Sequence, residues 1–199
     1  MIRIIFAITI FIFSLQSGFS QDRFFYGGLK AGINFSQIDG DDALGYDKIG
    51  LQSGITGGFS LGGIKELQIE FLYSLRGSRS TKNDTANVKI NLHYIEIPVI
   101  FCLNDWLIEE ENDSYYRLIF QGGLSTGFLI NSTSTRAEHD FKKLDISWLL
   151  GVQYQVTKNI GIYGRYTSSF TPIYKYMRSG QEIKMISYFI SLGLNYRFN

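Results

Sequence analysis

Residues 144–155 read LDISWLLGVQYQ, a segment in which apolar and polar side chains alternate except at Leu149. The apolar side chains occupy every second position, at Leu144, Ile146, Trp148, Leu150, Val152 and Tyr154. An amphipathic helix would instead need apolar residues three and four positions apart. The period of two therefore predicts a β-strand with one apolar face and one polar face.

The same period of two occurs in seven further segments. The eight candidate strands cover residues 25–36, 51–61, 67–76, 95–102, 117–130, 144–155, 160–170 and 186–198. Most of them have about ten residues or more, which is enough to cross a bilayer at a tilt of roughly 45°. Residues 88–92 carry apolar side chains at the opposite parity to Ile95 and Ile97. We therefore expect a bulge or an extramembrane extension near His93.

The composition excludes several classes of protein. Aromatic residues make up 16% of the 199 residues, which excludes an ordinary disordered chain. The single cysteine, Cys102, excludes a disulfide scaffold. The net charge of +1 argues against a nucleic-acid partner held by electrostatics. The mean hydropathy of +0.00 is too low for a helical membrane bundle but allows a membrane barrel, whose strands are half polar.

The first twenty residues have the layout of a secretory signal peptide. Arg3 precedes an apolar run over residues 4–15, and the small residues Gly18 and Ser20 precede Gln21. The apolar run is shorter than the roughly 20 residues that a spanning helix needs. We therefore predict a signal peptide at residues 1–20 and a barrel domain at residues 21–199.

Two features favour a membrane barrel over a soluble barrel or sandwich with an apolar centre. Small and charged residues share one face, as at Gly28, Lys30 and Gly32, and a narrow eight-stranded barrel needs such residues inside. Aromatic residues recur near strand ends on the apolar face, which is typical of the two interfacial girdles of outer-membrane barrels. A soluble ligand-binding barrel remains an alternative at this point.

The lengths of the connections support the membrane barrel. Longer polar connections at 38–50, 77–87, 131–143 and 171–184 alternate with shorter ones, such as 62–65 and 156–159. This order is typical of an outer-membrane barrel whose two termini lie in the periplasm. We therefore predict an all-β fold, an eight-stranded antiparallel up-and-down transmembrane β-barrel in contact with the lipid of the cell outer membrane.

One connection departs from this order. Residues 104–114, NDWLIEEENDS, fall on the periplasmic side and are unusually long and acidic. A solvated turn would explain them, and so would a docking point at residues 106–113 for a periplasmic protein. We keep both interpretations as hypotheses.

Three segments resemble one known family. GGLKAGINFS at residues 27–36, LHYIEIPVIF at 92–101 and YFISLGLNYRF at 188–198 resemble the PorT-like outer-membrane β-barrel family. Its Y-x-E-I-P element corresponds here to Tyr94, Glu96, Ile97 and Pro98. The resemblance implies a barrel in the outer membrane that is inserted by the barrel-assembly machinery. The founding member is associated with the type IX secretion and gliding apparatus, so an accessory role in such an apparatus is an alternative function.

The polar face predicts a network of charges in the barrel lumen. Alternation places Lys30, Glu70, Glu96 and Arg165 inward near mid-height, with Arg117 and Arg197 nearer the periplasmic rim. We expect Glu70 and Glu96 to face Arg165 across the lumen, with Lys30 nearby. Such a network fills the centre and fixes the strand register, while a gated ion path is the functional alternative.

No motif in the chain predicts catalysis. A lipid-modifying hydrolase would need a nucleophile beside a histidine such as His93. The G-x-S-x-G patterns at residues 58–62 and 123–127 lie on or at the end of predicted β-strands, whereas a nucleophile elbow turns from a strand into a helix. We therefore assign no catalytic, cofactor-binding or metal-binding residue and expect no cofactor. The expected function is that of a non-enzymatic scaffold in the outer membrane, with the lipid hydrolase as an alternative.

Overall fold

The computed structural model describes residues 25–41, 45–80, 88–110, 113–135 and 140–198. The predicted signal peptide at residues 1–20 lies outside these residues. The described chain contains nine β-strands. They are β1 (Phe25–Asp39), β2 (Lys48–Gly62), β3 (Lys65–Arg79), β4 (Lys89–Glu110), β5 (Asp113–Ser134), β6 (Leu144–Gln155), β7 (Ile160–Ser169), β8 (Tyr174–Arg178) and β9 (Gln181–Arg197).

Eight of these strands form a closed antiparallel ring. Each strand from β1 to β7 pairs with the next, β7 pairs with β9, and β9 pairs back with β1. The closing ladder runs from Gly28 opposite Arg197 to Asp39 opposite Ile186. The structure thus confirms the predicted all-β antiparallel class. No helix among the described residues is long and apolar enough to span a membrane.

The ninth strand, β8, corrects the prediction that residues 171–184 are only a connection. It pairs with the first part of β9, from Tyr174 opposite Met185 to Arg178 opposite Gln181. Ser179 and Gly180 join the two strands, with φ angles of 50° and 81°. Two central residues with positive φ form the turn that matches the twist of a β-hairpin, so the tight turn favours a hairpin here.

The ring has two different ends. The end that carries Phe25 and Arg197 is called the terminal end, and the opposite end, which carries the β8–β9 hairpin, is called the loop end. At the terminal end, β2 and β3 are separated by residues 63–64 only, and β6 and β7 by residues 156–159. At the loop end the connections 40–47, 80–88 and 135–143 are longer.

The interpretation of residues 104–114 as a connection is wrong for most of its length. β4 continues to Glu110 and β5 begins at Asp113, with Ile108 opposite Tyr115 and Glu109 opposite Ser114. Residues 111–112, within the candidate docking segment 106–113, lie outside the described part of the chain. Two antiparallel strands that are already paired can extend together, because each satisfies the backbone hydrogen bonds of the other.

A bulge near His93 is confirmed, although the extra residue lies on the neighbouring strand. His93 pairs with Asn131 and Tyr94 with Leu129, so Ile130 of β5 is the additional residue. β4 itself alternates without a break, because Val88 and Leu92 are buried on the same face as Glu96. The apolar pattern changes parity in the sequence because the apolar side chains of residues 88–92 point into the ring, whereas those of Ile95 and Ile97 point outward.

The two faces of the ring are inverted relative to a water-soluble protein. Many large apolar side chains are exposed on the outside, including Leu29, Ile33, Ile55, Ile69, Phe71, Val99, Phe101, Phe120, Leu124, Leu150, Ile162, Leu192 and Leu194. Polar and charged side chains are buried inside, including Lys30, Asn34, Gln52, Gln68, Glu70, Arg76, Glu96, Gln121, Asp145, Gln153, Arg165 and Ser191. The outside is therefore suited to hydrocarbon and the inside to hydrogen bonds and ion pairs.

Two glycines make room for the phenol of Tyr163 inside the ring. Gly32 of β1 lies opposite Gly193 of β9. A Cβ atom at these positions would lie 2.6 Å and 2.8 Å from the hydroxyl of Tyr163. That hydroxyl donates a hydrogen bond to Gln52 Oε1 at 3.1 Å. Because Gly32 and Gly193 have no side chain, the phenol of Tyr163 on β7 can reach across the interior to Gln52 on β2.

Gly193→Ala is expected to destabilise the ring, because its Cβ would also lie 2.3 Å from the carbonyl oxygen of Ala31. The cost should be about 1–3 kcal/mol, the usual range for overpacking a tight interior. Urea unfolding, followed by the different gel mobilities of folded and unfolded protein, measures this loss. Gly164→Ala is the matched control, because its Cβ would face outward with Leu192 Cδ2 at 3.4 Å. Equal losses for the two variants would contradict the proposed packing of Tyr163.

Candidate functional site in the ring interior

A central ion cluster is built from alternate positions of three strands. Glu70 on β3 accepts a hydrogen bond from Lys30 Nζ of β1 at 2.8 Å. Arg165 on β7 donates two further bonds to the Glu70 carboxylate, at 2.7 Å and 2.9 Å. All three side chains are buried. One carboxylate therefore joins three separate strands across the ring.

Neutral groups complete this central cluster. Arg165 Nη2 also donates to Gln121 Oε1 at 3.1 Å, and Gln68 Nε2 donates to Glu70 Oε1. The ammonium of Lys30 lies 3.8 Å from the ring centroid of Tyr163, a cation–π arrangement. With two cations and one carboxylate, the central cluster carries one net positive charge.

A second ion cluster lies closer to the loop end. Arg76 Nη2 donates to Asp145 Oδ2 at 2.7 Å, and Arg76 Nε lies 3.4 Å from Glu96 Oε1. The hydroxyls of Ser147 and Ser169 donate to the same Asp145 oxygen, at 3.2 Å and 2.9 Å. With one cation and two carboxylates, this cluster carries one net negative charge.

The opposite net charges of the two clusters balance each other. Moving a single charge out of water is costly, and an interior stays stable only when its charges are paired and hydrogen-bonded. Counted by formal charge, the two clusters together are therefore neutral.

The terminal end carries a third, partly exposed ion cluster. The Tyr26 hydroxyl donates to Glu66, and Arg197 Nη2 donates to Glu66 Oε1 at 3.2 Å. The guanidinium of Arg197 lies 4.0 Å from the ring centroid of Tyr26. These residues border a cavity of about 470 Å³ that also contacts Asn104 and Gln155. Water and small polar solutes can reach this cluster, unlike the other two.

An apolar cluster fills the interior at the loop end. Its buried members are Ile38, Val88, Ile90, Leu92, Tyr94, Phe141, Ile173 and Met185. The β8–β9 hairpin packs against this cluster through Tyr174 and Tyr176, and the Tyr176 hydroxyl donates to the carbonyl oxygen of Gly40 at 2.9 Å. Between the cavity at the terminal end and the loop end, the interior is therefore occupied by side chains, with this apolar cluster at the loop end.

The structure brings together only part of the predicted lumen network. Lys30, Glu70 and Arg165 meet, as the alternation of the strands indicates. The ion-pair partner of Glu96 is Arg76 rather than Arg165, which corrects the predicted arrangement. Sequence reasoning missed Arg76 and Asp145 as members. Both occupy polar positions of predicted strands, so the strand parity alone could have found them.

The two predicted rim arginines lie at the terminal end. Arg197 joins the partly exposed cluster with Glu66. Arg117 is half-buried, and its guanidinium lies 5.4 Å from the ring centroid of Trp106 and 6.0 Å from that of Tyr154.

The Y-x-E-I-P element contributes two side chains to the interior. The ring of Tyr94 lies 3.9 Å from the guanidinium carbon of Arg76, and Glu96 pairs with the same guanidinium. Pro98 is buried on this face, whereas Ile97 is half-buried on the other face. Tyr94 and Glu96 are two positions apart on the same face of β4, so both can contact Arg76 on the neighbouring strand β3.

His93, the candidate histidine of the hydrolase alternative, lies on the outer face of β4. Its Nδ1 atom is 2.7 Å from the hydroxyl of Tyr73. Among the described residues, no group of three histidine, cysteine, aspartate or glutamate side chains is arranged to hold a metal ion.

Removal of the shared carboxylate is expected to strand two cations in the interior. Glu70→Ala should lower the free energy of unfolding by about 3–5 kcal/mol, because Lys30 and Arg165 lose their counter-charge. Urea unfolding in the same detergent or lipid as the unchanged chain measures the difference.

The matched control is Glu182→Ala, which removes an exposed ion pair. Lys175 Nζ lies 2.6 Å from Glu182 Oε1 in the β8–β9 hairpin, and its hydrogen bond lowers the pKa of the Glu182 carboxyl. Exposed pairs contribute little to stability, so this variant should unfold like the unchanged chain. A stability loss in Glu70→Ala no larger than in the control would show that the central cluster does not hold the ring together.

The solved structures that are similar to this chain include natural and designed membrane barrels. The crystal structure of Ail, the attachment invasion locus protein of Yersinia pestis, is 14% identical, with a TM-score of 0.47, and the match covers 87% of this chain and 98% of that chain. Neisserial surface protein A is also 14% identical, with a TM-score of 0.42 and coverage of 87% and 97%. A de novo designed transmembrane β-barrel is 9% identical, with a TM-score of 0.36 and coverage of 90% and 100%.

The family assignment comes from the sequence itself. No curated protein matches the chain. The family described as outer membrane protein beta-barrel domain matches residues 19–175, which is well over half of the sequence. The polar interior and the apolar outer face agree with this match. The chain therefore belongs to the outer membrane protein β-barrel domain family, and its location is the outer membrane.

Proposed function

We propose that this chain is an eight-stranded up-and-down transmembrane barrel that acts as a non-enzymatic scaffold and holds its loop end at the cell surface. The observation that carries this proposal is the filled, charge-balanced interior beneath an apolar outer wall. Residues 1–20 would direct export, and the barrel-assembly machinery would insert the folded chain. Membership of the narrower PorT-like group stays a prediction that rests on the Y-x-E-I-P element and the strand sequences.

The interior supports a scaffold rather than a channel. Eight strands leave an interior just wide enough for side chains. Here two buried ion clusters and the apolar cluster occupy that space, and Glu70 links β1, β3 and β7 directly. An ion that crossed the ring would have to displace these ion pairs. The structural role of the network is therefore favoured over the gated ion path.

The connections support the orientation. Barrels of the outer membrane have short periplasmic turns and longer extracellular loops. The longer connections and the β8–β9 hairpin are all at the loop end. The hairpin exposes Met177, with 68% of its surface accessible, and carries Lys175 and Glu182 on its exposed surface. The hairpin at this end thus offers a mixed apolar and charged surface for interactions outside the cell.

Cysteine labelling in intact cells is expected to place the loop end outside. Met177→Cys should react with a membrane-impermeant maleimide, because this side chain lies exposed on the β8–β9 hairpin. Ser114→Cys is the matched control at the terminal end and should react only after the outer membrane is permeabilised. The native Cys102 is buried and should stay unlabelled. Labelling of Ser114→Cys alone in intact cells would contradict the orientation.

A second candidate function concerns the terminal end, where the β4–β5 hairpin projects beyond its neighbours. The pairing of β4 with β3 stops at Leu103, and the pairing of β5 with β6 stops at Leu118. Beyond these residues the hairpin presents strand edges, and edges of this kind can pair with an extended peptide. We infer that this hairpin docks a periplasmic protein.

The side chains of the hairpin support docking over a solvated turn. Trp106 and Leu107 are exposed by 55% and 47%, so both offer apolar surface to a protein partner. Trp106 has a φ of 58°, and its N–H donates to Asp105 Oδ1 at 2.8 Å. Glu109, Glu110 and Glu111 follow in the sequence. An accessory role in secretion or gliding, which the PorT-like resemblance implies, would use such a docking point.

Site-specific photo-crosslinking in living cells tests the docking hypothesis. A photoreactive amino acid in place of Leu107 should give a discrete crosslinked product with a periplasmic protein. The same amino acid in place of Ile64, which is 49% exposed in the β2–β3 turn at the same end, is the matched control. Identical products at both positions, or none at Leu107, would favour the solvated turn.

A further inference from the structure

The outer wall formed by β3, β4 and β5 changes character towards the loop end. Ile95 and Phe71 belong to its apolar part. Next along the wall, the Tyr73 hydroxyl lies 2.7 Å from His93 Nδ1, and Asn91 Nδ2 donates to Thr133 Oγ1 at 2.9 Å. Beyond these neutral polar pairs come two cations, Arg79 and Lys89. Along the outer wall towards the loop end, apolar side chains are thus followed by neutral polar ones and then by cations. This spatial order matches the layers of a bilayer leaflet, from the acyl chains to the headgroups.

The two cations are direct neighbours. Arg79 of β3 lies opposite Lys89 of β4, and both side chains are exposed. Like charges directly opposite each other on adjacent strands destabilise a sheet. Their position at the end of two long strands therefore calls for an anionic group that offsets the repulsion.

A third cation lies near this pair on the neighbouring strand. Lys48, the first residue of β2, is buried on the inner face of the ring, and the pKa of its ammonium is lowered by burial and then by the nearby charges of Lys89 and Arg79. Within the described chain, no salt bridge joins any of these three cations to a carboxylate. Arg79 and Lys89, which share the outer face, are called the loop-end cation cluster below.

We propose that the loop-end cation cluster binds a phosphate group of a lipid headgroup in the outer leaflet of the outer membrane. This inference rests on the proposed orientation, with the loop end outside. Lys and Arg side chains near a membrane interface direct their charged ends to the headgroups while their alkyl chains cover apolar surface. The lipid's acyl chains then contact the apolar wall around Ile95, and its phosphate meets Arg79 and Lys89.

The continuity of the wall favours a lipid over a soluble anion. A soluble anion needs only the cations, whereas the polar pairs Tyr73–His93 and Asn91–Thr133 lie between the cations and the apolar wall. These neutral groups offer hydrogen bonds at the depth where a glycolipid carries its sugar and carbonyl oxygens. Basic clusters next to membrane-spanning segments bind anionic lipid headgroups through the same electrostatic attraction.

The experiment uses the full chain, folded in a neutral detergent, with three probes. The probes are lipid A that carries its phosphates, the same lipid A after enzymatic dephosphorylation, and inorganic phosphate. The double variant R79Q/K89Q removes both charges of the cluster. The double variant K142Q/K143Q removes two exposed charges from another connection at the same end and is the matched control. Native mass spectrometry counts the lipid that remains bound and gives its affinity.

The unchanged chain and K142Q/K143Q should bind phosphorylated lipid A alike and prefer it to the dephosphorylated form. R79Q/K89Q should bind phosphorylated lipid A about thirtyfold more weakly, the usual effect of two basic residues near an anionic surface. Equal weakening in both double variants, or equal binding of the two lipids, would overturn the inference. Full displacement of the lipid by inorganic phosphate at low millimolar concentration would overturn its assignment to a lipid and favour a soluble anion.

These results are independent of the labelling of Met177→Cys and Ser114→Cys. Labelling from the wrong side contradicts the proposed function, and with it the assignment of the lipid to the outer leaflet. If Met177→Cys is labelled in intact cells but the chain binds phosphorylated and dephosphorylated lipid A equally, only the proposed lipid site at the cation cluster is contradicted. A gel assay for folded protein, applied to each double variant, ensures that only folded chains enter the comparison.

Discussion

The hydrogen bonds between β1 and β9 are the interaction on which the rest of the structure depends. They run from Gly28 and Arg197 to Asp39 and Ile186 and close the ring. Inside a bilayer an open strand edge would leave peptide groups without partners, each at a cost of several kcal/mol. Once the ring is closed, every second side chain must face hydrocarbon and the others must face a narrow interior. The period of two in the sequence follows directly from this closure.

The narrow interior explains why the buried charges form clusters rather than a layer of separate pairs. Glu70 forms ion pairs with both Lys30 and Arg165, and Arg76 forms ion pairs with both Glu96 and Asp145. One cluster has an excess cation and the other an excess carboxylate, so each compensates the other. Because the members come from β1, β3, β4, β6 and β7, the network also fixes the strand register. A shift by one residue would turn every charged side chain outward.

Alternation in the sequence predicts which side chains face inward, but not which of them meet. That explains why Lys30, Glu70 and Arg165 could be placed together approximately, while Arg76 was missed as the partner of Glu96. Contacts across the lumen depend on the stagger between strands, which a single strand's pattern does not encode. The β8 strand escaped prediction because five residues are too short for a clear period. The continued β4–β5 hairpin escaped because its residues, including Trp106 and the acidic run from Glu109, are typical of a loop.

The central claim is that the outer wall contacts hydrocarbon while the β4–β5 hairpin lies beyond it. The chain's two tryptophans report on these places, Trp148 on the outer face of β6 and Trp106 on the hairpin. The most direct measurement is fluorescence quenching by lipids with brominated acyl chains, in the variants Trp106→Phe and Trp148→Phe. The account predicts strong quenching of Trp148 by bromine and of Trp106 by aqueous iodide. Quenching of Trp148 by iodide, with no effect of the brominated lipids, would contradict it.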